Sequence, residues 1–373
     1  MKIGIVTEYY YPFLGGITEN VHNSRAKLED MGHAVKIITS NTGSWQNGDG
    51  DANDSDAGIV RLGRSIPVYA NGSFARVTVG GRLRNQLSAI LEGERFDILH
   101  IHSPLVFTLP LLSLIEAKCP AVGTFHTSFG KCSFYSVFRN KLQVGVNKLK
   151  GRIIVSRACQ DSLSQYFDFN ARVIPNGVDT QLFHPEASPL EKFNDGKINL
   201  LFLSRFDPRN GLSLMLRAFE IIKSQVRDVR LVVVGDGPLS FYYKKQVPYR
   251  LRKDVHFEGL VDGGRPNYYA SCDVFCSPVT KASFGITLLE AMASGKPIVA
   301  TENPGYKELL APDEGVLLPS GDPNAFANAI LNLLADEKLR REMGANGRRK
   351  ALSYSWDTIA RSLMDYYLEV LEK

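Results

Sequence analysis

Short apolar runs alternate with amphipathic stretches along almost the whole chain. KIGIVTE at the start and HAVKIITS at 33–40 read as buried strands, and GITENVHNSRAKLEDMGH between them reads as a helix stopped by Gly32. Residues 41–58 are polar and rich in Gly and Asp, which predicts a flexible surface loop. VRLGRSIPV, a helix around Gly80–Leu91, the strand FDILHIHS, the helical LVFTLPLLSLIEA and the strand PAVGTFHTS follow. Apolar strands that alternate with helices predict an α/β fold on a mostly parallel, doubly wound sheet.

The pattern restarts after Ile174-Pro175-Asn176-Gly177. KINLLFLSRFD, LSLMLRAFEIIKSQ and VRLVVVGDGP form a new strand–helix–strand series, continued by VHFEGLV, a helix toward Ala270, CDVFCSP and KPIVAT. A chain of 373 residues exceeds what one core usually supports. Two domains are expected, 1–176 and 177–355. The amphipathic WDTIARSLMDYYLEVLEK, 356–373, is read by analogy as a helix returning to the first. Sheets of this kind bind ligands outside the C-terminal ends of their strands, so the two domains are expected to face a cleft.

Charge and cysteines narrow the chemistry. Lys plus Arg total 44 against 39 acidic residues, a net +5 that suits anionic nucleotides or an anionic membrane and is too small to argue for nucleic acid. The N-terminus enters a strand directly, without an apolar run long enough for a signal peptide, and no apolar stretch is long enough to span a membrane. The five scattered cysteines, with Cys272 and Cys276 in a buried-strand context, read as free core thiols and place the protein in the cytoplasm.

The stretch SFGITLLEAMASGKPIVAT, Ser283 to Thr301, combines a Gly-containing turn, a helix with one acidic residue and a buried strand. Unpaired N–H groups at the helix start favour an anion, and Glu290 can accept hydrogen bonds from hydroxyls; phosphate and polyol together describe a sugar nucleotide. The plain alternative is an ordinary αβ unit whose glutamate faces solvent. Gly15-Gly16 stand at a strand-to-helix turn where a ligand can approach backbone N–H groups, although no GxGxxG is present. His126 ends a strand and points toward the expected cleft. His100 and His102 share a strand face without a third metal ligand nearby, and one of them is a candidate neighbour of His126. Arg205 closes a strand and Arg209 follows it; either guanidinium suits a diphosphate, while Asp207 is an equally good partner for Arg205. Gly235, in GDGP, opens a second turn beside a buried strand.

Taken in order, PFLGGITENVHNSRAKLEDMGHAV, HIHSPL, GTFHTS, KGRIIVSRA, VIPNGVD, FLSRFDPRNG, VVVGDGP, SFGITLLEAMASGKPIVA and GYKELL resemble the retaining glycosyltransferases of family 4, which have the GT-B fold of two Rossmann-like domains. The likeness is closest to the branch that moves mannose from GDP-mannose to phosphatidylinositol, and it spans roughly residues 3–310. It implies sugar transfer from a nucleotide-diphosphate donor to a lipid-linked or polyol acceptor, with no metal and no cofactor. Gly16, with Gly15, would meet the donor diphosphate and the acceptor, His126 the transferred sugar and Arg205 the diphosphate. Glu290 would hold the ribose hydroxyls, and the backbone of Ser283, Phe284, Gly285 and Ile286 the sugar or phosphates. Arg209, Asn210 and Gly235 complete the expected donor site. A sugar-nucleotide-binding protein without catalysis and a UDP-sugar epimerase of the same architecture are the alternatives.

Two positions depart from the family pattern. Ala282 stands where the first of two glutamates is usual, and Asn210 where a lysine is usual five residues past the clamp arginine. An active enzyme with altered donor contacts, an inactive relative and an engineered alanine all fit; the first is preferred. Two segments interleave cations with apolar residues and suggest a peripheral attachment to the inner face of an anionic membrane, against the alternative of helices packed on their own domain. One carries Arg76, Arg82 and Arg84 among Phe74, Val77, Val79, Leu83 and Leu87. The other carries Lys131, Arg139, Lys141, Lys148 and Lys150 among Phe134, Tyr135, Val137, Phe138, Leu142 and Val146. Asp49, Asp51, Asp54 and Asp56 cluster, but in the Gly-rich loop away from the expected diphosphate.

Overall fold

The computed structural model describes residues 1–42, 58–70, 73–261 and 263–373. The chain forms two compact units, Met1–Asn176 with Trp356–Lys373, and Gly177–Ser355. The acidic cluster at 49–56 and the side chain of Phe74 lie outside the described residues.

The first unit is built on a seven-stranded sheet in the order Ile59–Leu62, Ala34–Ser40, Lys2–Thr7, Ile98–His102, Ala121–Phe125, Gly151–Ile154, Arg172–Val173. Every pairing is parallel. The strands are apolar along their length because both faces are covered. Ile3, Ile5, Ile98, Val122 and Ile153 share one core with Val21 and Leu28 of helix Gly16–Asp30. The C-terminal helix Trp356–Leu371 adds Trp356, Ile359, Leu363, Tyr367 and Val370 to that core. Burying each such side chain is worth about 1.5–3 kcal/mol. Its polar edge is tied by Lys27–Asp357 at 2.9 Å and by Arg172 at 2.7 Å from Glu369.

The second unit has six parallel strands in the order Val255–Gly259, Val229–Val234, Ile198–Leu203, Val274–Ser277, Ile298–Thr301, Gly315–Leu318. Helix Leu212–Gln225 buries Leu212, Met215, Phe219 and Ile222, the 3–4 spacing of one helix face, against this sheet. In both sheets the first strand lies beside the second on one side and the fourth or a later one on the other, so the winding reverses there. That reversal is the switch point at which such sheets leave a crevice for ligands.

Two expected elements shift. Strands Arg64–Ala70 and Ser73–Val79 pair antiparallel, and the helix that follows is Leu83–Glu94. Helix Leu109–Glu116 begins later than the apolar run because Pro110 fits only its first turn.

Candidate active site

In the second unit the switch point lies between Ile198–Leu203 and Val274–Ser277, and the sequence candidates occupy the turns that leave these strands. Gly235 has φ 131°, and a Cβ there would sit 2.0 Å from the Ser204 carbonyl oxygen, so only glycine lets the two turns press together. The backbone N–H of Thr280 donates to the Arg209 carbonyl at 2.8 Å, joining the turn after the fourth strand to the one after the first. Asn210 donates its side-chain amide to the Arg205 carbonyl at 2.7 Å and is 8% exposed. It braces the arginine turn where a lysine would have offered charge.

Helix Ile286–Ala293 starts at Gly285, whose φ of 127° again demands glycine. Its first-turn N–H groups lack intrahelical acceptors. Phe284 is buried, its ring against Tyr354. Glu290 is 2% exposed, so it is no solvent-facing glutamate. Arg265 Nη1 lies 3.0 Å from Oε1, and the Tyr269 hydroxyl donates to Oε2 at 2.8 Å. Burial, with Glu290 next to it, pushes the Tyr269 phenol well above its ordinary pKa, so it stays a donor. A carboxylate has about four lone-pair sites, and Arg265 and Tyr269 use one on each oxygen. Ala282 accepts the Gly305 N–H at 3.2 Å through its carbonyl and brings no polar side chain.

The two arginines differ. Arg205 is largely exposed and 3.1 Å from Asp207 Oδ2. Arg209 is half-buried and makes no ion pair among the described residues; burial and, next, Arg205 hold its guanidinium below the ordinary arginine value. A partly desolvated cation without a carboxylate is a ready partner for a diphosphate.

In the first unit Gly15 and Gly16 open helix Gly16–Asp30 and are exposed. Just before them Glu8 is buried, 2% exposed. It accepts from Thr108 Oγ1 at 2.6 Å and from the Leu109 N–H at 3.2 Å. Burial raises its pKa. Glu8 thereby holds Thr108 at φ 100°, a strained conformation for a β-branched residue. His126, just past strand Ala121–Phe125, lies 2.7 Å through Nε2 from Nδ1 of His102, with the rings stacked. The His100 ring lies 4.4 Å from that of His102, tilted by 31°, and is fixed by Thr124 and by Tyr367 of the C-terminal helix, each at 2.6 Å. Desolvation lowers His100 and His126 to about 3 and His102 well below its ordinary value, so all three are neutral. His126 is only partly buried.

The two basic-apolar segments also separate. Leu83 and Leu87 are buried in their own unit, Arg84 pairs with Glu116 at 2.6 Å, and Arg76 packs over the Phe13 ring at 3.6 Å. The second segment buries Leu142 and Val146 but exposes Val137 and Val144, 74% and 69%, and Phe107, whose ring lies 6.0 Å from that of Phe134, is 63% exposed. Among the described residues no helix is long and apolar enough to cross a membrane, and no group of three or more His, Cys, Asp or Glu could hold a metal ion. Cys272 and Cys276 are free and buried, and burial pushes both thiols up, Cys272 to about 12. Arg265, Tyr269 and Glu8 escaped the sequence reading. Only the four-residue spacing of Arg265 and Tyr269, one helix face, signalled a pair.

Residues 14–182 match the model of "Glycosyltransferase Family 4" and residues 185–350 that of "Glycosyl transferases group 1". The chain is 32% identical to phosphatidyl-myo-inositol mannosyltransferase of Mycolicibacterium smegmatis, over 98% of this chain and 93% of that protein. It is 28% identical to alpha-monoglucosyldiacylglycerol synthase of Streptococcus pneumoniae, over 100% of this chain and 86% of the relative. Among solved structures, HepE of Anabaena in complex with UDP and glucose has a TM-score of 0.75 at 20% identity, covering 99% of both chains. Sucrose-phosphate synthase of Thermosynechococcus elongatus has 0.76 at 20%, covering 100% of this chain and 99% of that one. Two parallel-sheet Rossmann-like units with these neighbours make the architecture GT-B. The chain belongs to the family 4 glycosyltransferases.

Proposed function

We propose that this glycosyltransferase moves mannose, with retention and without a metal, from GDP-mannose to phosphatidylinositol or a similar lipid-linked polyol at an anionic membrane surface. The observation that carries the reading is the buried carboxylate of Glu290 on helix Ile286–Ala293, which follows the turn that Thr280 ties to the Arg209 carbonyl. Glu290 takes the ribose hydroxyls, while the arginines and the helix N–H groups take the diphosphate. Mannose and phosphatidylinositol are supported by the 32% identity to the mannosyltransferases, although the synthase and HepE are named for glucose chemistry or bind UDP.

In the proposed reaction an acceptor hydroxyl oxygen forms a bond to the anomeric carbon. The bond from that carbon to the diphosphate oxygen breaks, and the departing phosphate takes the hydroxyl proton on the same face. Glycoside and nucleoside diphosphate result. His126 and Gly16 serve the sugar and the acceptor. The missing carboxylate at 282 reduces contacts to the sugar, and Arg209 supplies the second cation that Asn210 does not.

The peripheral, cytoplasmic location rests on charge. Residues 117–160 contain no Asp or Glu and eight Lys or Arg, and within them Val137 and Val144 are exposed beside the exposed Lys131, Arg139 and Lys141. The test is a mass-spectrometric screen of GDP-mannose, UDP-glucose and other donors, with and without phosphatidylinositol vesicles, repeated with a chelator. Mannosyl-phosphatidylinositol formed in the chelator supports the reading. Release of nucleotide from UDP-sugars alone, or activity restored only by Mg²⁺ or Mn²⁺, overturns it.

A further inference from the structure

The reaction outlined above uses His126 and leaves the two histidines behind it without a role. Their geometry restricts the protons. His102 Nδ1 and His126 Nε2 are 2.7 Å apart, so one of them carries the hydrogen and the other accepts it. His102 is 1% exposed, and its Nε2 has no hydrogen-bond partner. A proton on that nitrogen would be a buried donor without an acceptor, which native interiors tolerate far less well than an unfilled lone pair. The proton of His102 therefore sits on Nδ1 and is donated to His126 Nε2. A neutral imidazole has one N–H, so the proton of His126 is on Nδ1. That nitrogen makes no hydrogen bond among the described residues and is not among their buried unsatisfied atoms, which places it at the exposed edge of the ring.

His102 cannot easily turn over to offer the other nitrogen. Turning over would break its 2.7 Å bond to the nearly parallel His126 ring, and the His100 ring packs against it, centroids 4.4 Å apart. His100 is held at both nitrogens, by Thr124 Oγ1 and the Tyr367 hydroxyl.

We infer that His102 is a positioning residue that fixes His126 as its Nδ1–H tautomer, so that His126 offers a hydrogen-bond donor to an oxygen of the transferred sugar. The sugar part rests on the proposed function; the tautomer does not. A fixed donor recognises a hydroxyl oxygen and needs no proton exchange with solvent, which suits a step whose proton passes from acceptor to leaving group.

The experiment is long-range ¹H–¹⁵N correlation on protein labelled with ¹⁵N-histidine, with the His126 signals identified by their loss in His126→Gln. The expected spectrum shows a protonated Nδ1 and a bare Nε2 at His126. In His102→Leu those signals move toward a mixture of tautomers. Transfer then falls about tenfold, the size of one hydrogen bond lost, with affinity for nucleoside diphosphate within about twofold. His102→Asn, whose amide N–H replaces the imidazole donor, restores most of the rate. A protonated Nε2 on His126 in the unaltered protein overturns the inference, as does an unchanged tautomer in His102→Leu. Should His102→Leu not fold, the spectrum of the unaltered protein still decides. The expected tautomer with no sugar transfer in any variant would count against the proposed function and leave the tautomer standing.

Discussion

The two units bury their polar candidates in opposite ways. In the second, Arg265 and the Tyr269 hydroxyl meet the carboxylate of buried Glu290. In the first, the three histidines are neutral and joined to each other, to Thr124 and to Tyr367 by uncharged hydrogen bonds and a ring contact. An ion pair holds a charge ready for polar hydroxyls but fails heavily if one partner is removed. A neutral chain loses little with any one link and is instead exposed to acid. The difference can be attacked from both sides.

The largest effect is expected at Glu290. Glu290→Ala takes the carboxylate from the 26%-exposed Arg265 and an acceptor from the buried Tyr269 hydroxyl, and should cost about 2–4 kcal/mol of stability. Glu290→Gln keeps the shape and should weaken nucleoside diphosphate binding by about 1–3 kcal/mol. Urea titration and calorimetry measure the two separately. Unchanged affinity in the glutamine variant would remove the ribose role.

Next comes Ala282. Glu290 and the helix N–H groups do not depend on it, so nucleotide binding should survive as it stands, while the sugar lacks one acceptor. Misplacement by about 1 Å can cost about 10²-fold in rate. Ala282→Glu should raise transfer by up to about that factor while moving bare nucleotide affinity little. Kinetics with the true donor beside a nucleotide titration checks this; a slower variant would mean that Lys281 or Ser283 seats the sugar.

The histidines should then reveal themselves in acid. In the unfolded chain they take protons below about 6.5, whereas folded His100 and His126 resist down to about 3. The unfolded state binds more protons throughout that window, so stability falls as pH falls through it. Between pH 7 and 5.5 each fully buried histidine should remove about 1 kcal/mol, and the part-exposed His126 less. Glu8 acts in the opposite sense: its raised pKa lets the folded state take a proton first, which adds stability as pH falls toward the ordinary carboxyl value. Urea midpoints at the two pH values give the slope, and His100→Gln should flatten it.

What the sequence revealed follows the same division. The strands were legible because covered parallel strands are apolar throughout, and the turns at Gly235 and Gly285 because only glycine fits them. The helix end at Arg95 was not, since a non-glycine residue there takes φ 50° and leaves no stop signal. Nor was the antiparallel pair Arg64–Ala70 and Ser73–Val79, whose second strand interleaves cations and apolar residues much as an amphipathic helix does. Arg265 is 25 residues from Glu290, so their pairing has no local pattern. His102 and His126 are nearly as far apart, yet both close adjacent strands, with His102 opposite Thr124 in register. Strand ends line up in a parallel sheet, and that made the pair readable.

The smallest effect, and the sharpest comparison with Glu290→Ala, is expected from Tyr367→Phe. The substitution removes one oxygen from a fully buried ring and leaves the ring's packing in place. His100 Nδ1 then loses its 2.6 Å partner, but what remains is a neutral nitrogen held at its other end by Thr124. Such a loss costs about 0.5–1.5 kcal/mol, several times less than an arginine left without its carboxylate. Trp356, Ile359, Leu363 and Val370 still bury the C-terminal helix, so the urea slope should stay constant while the midpoint falls. A loss above about 3 kcal/mol would place the neutral chain on a level with the ion pair. The contrast between the units would then lie in their response to acid alone.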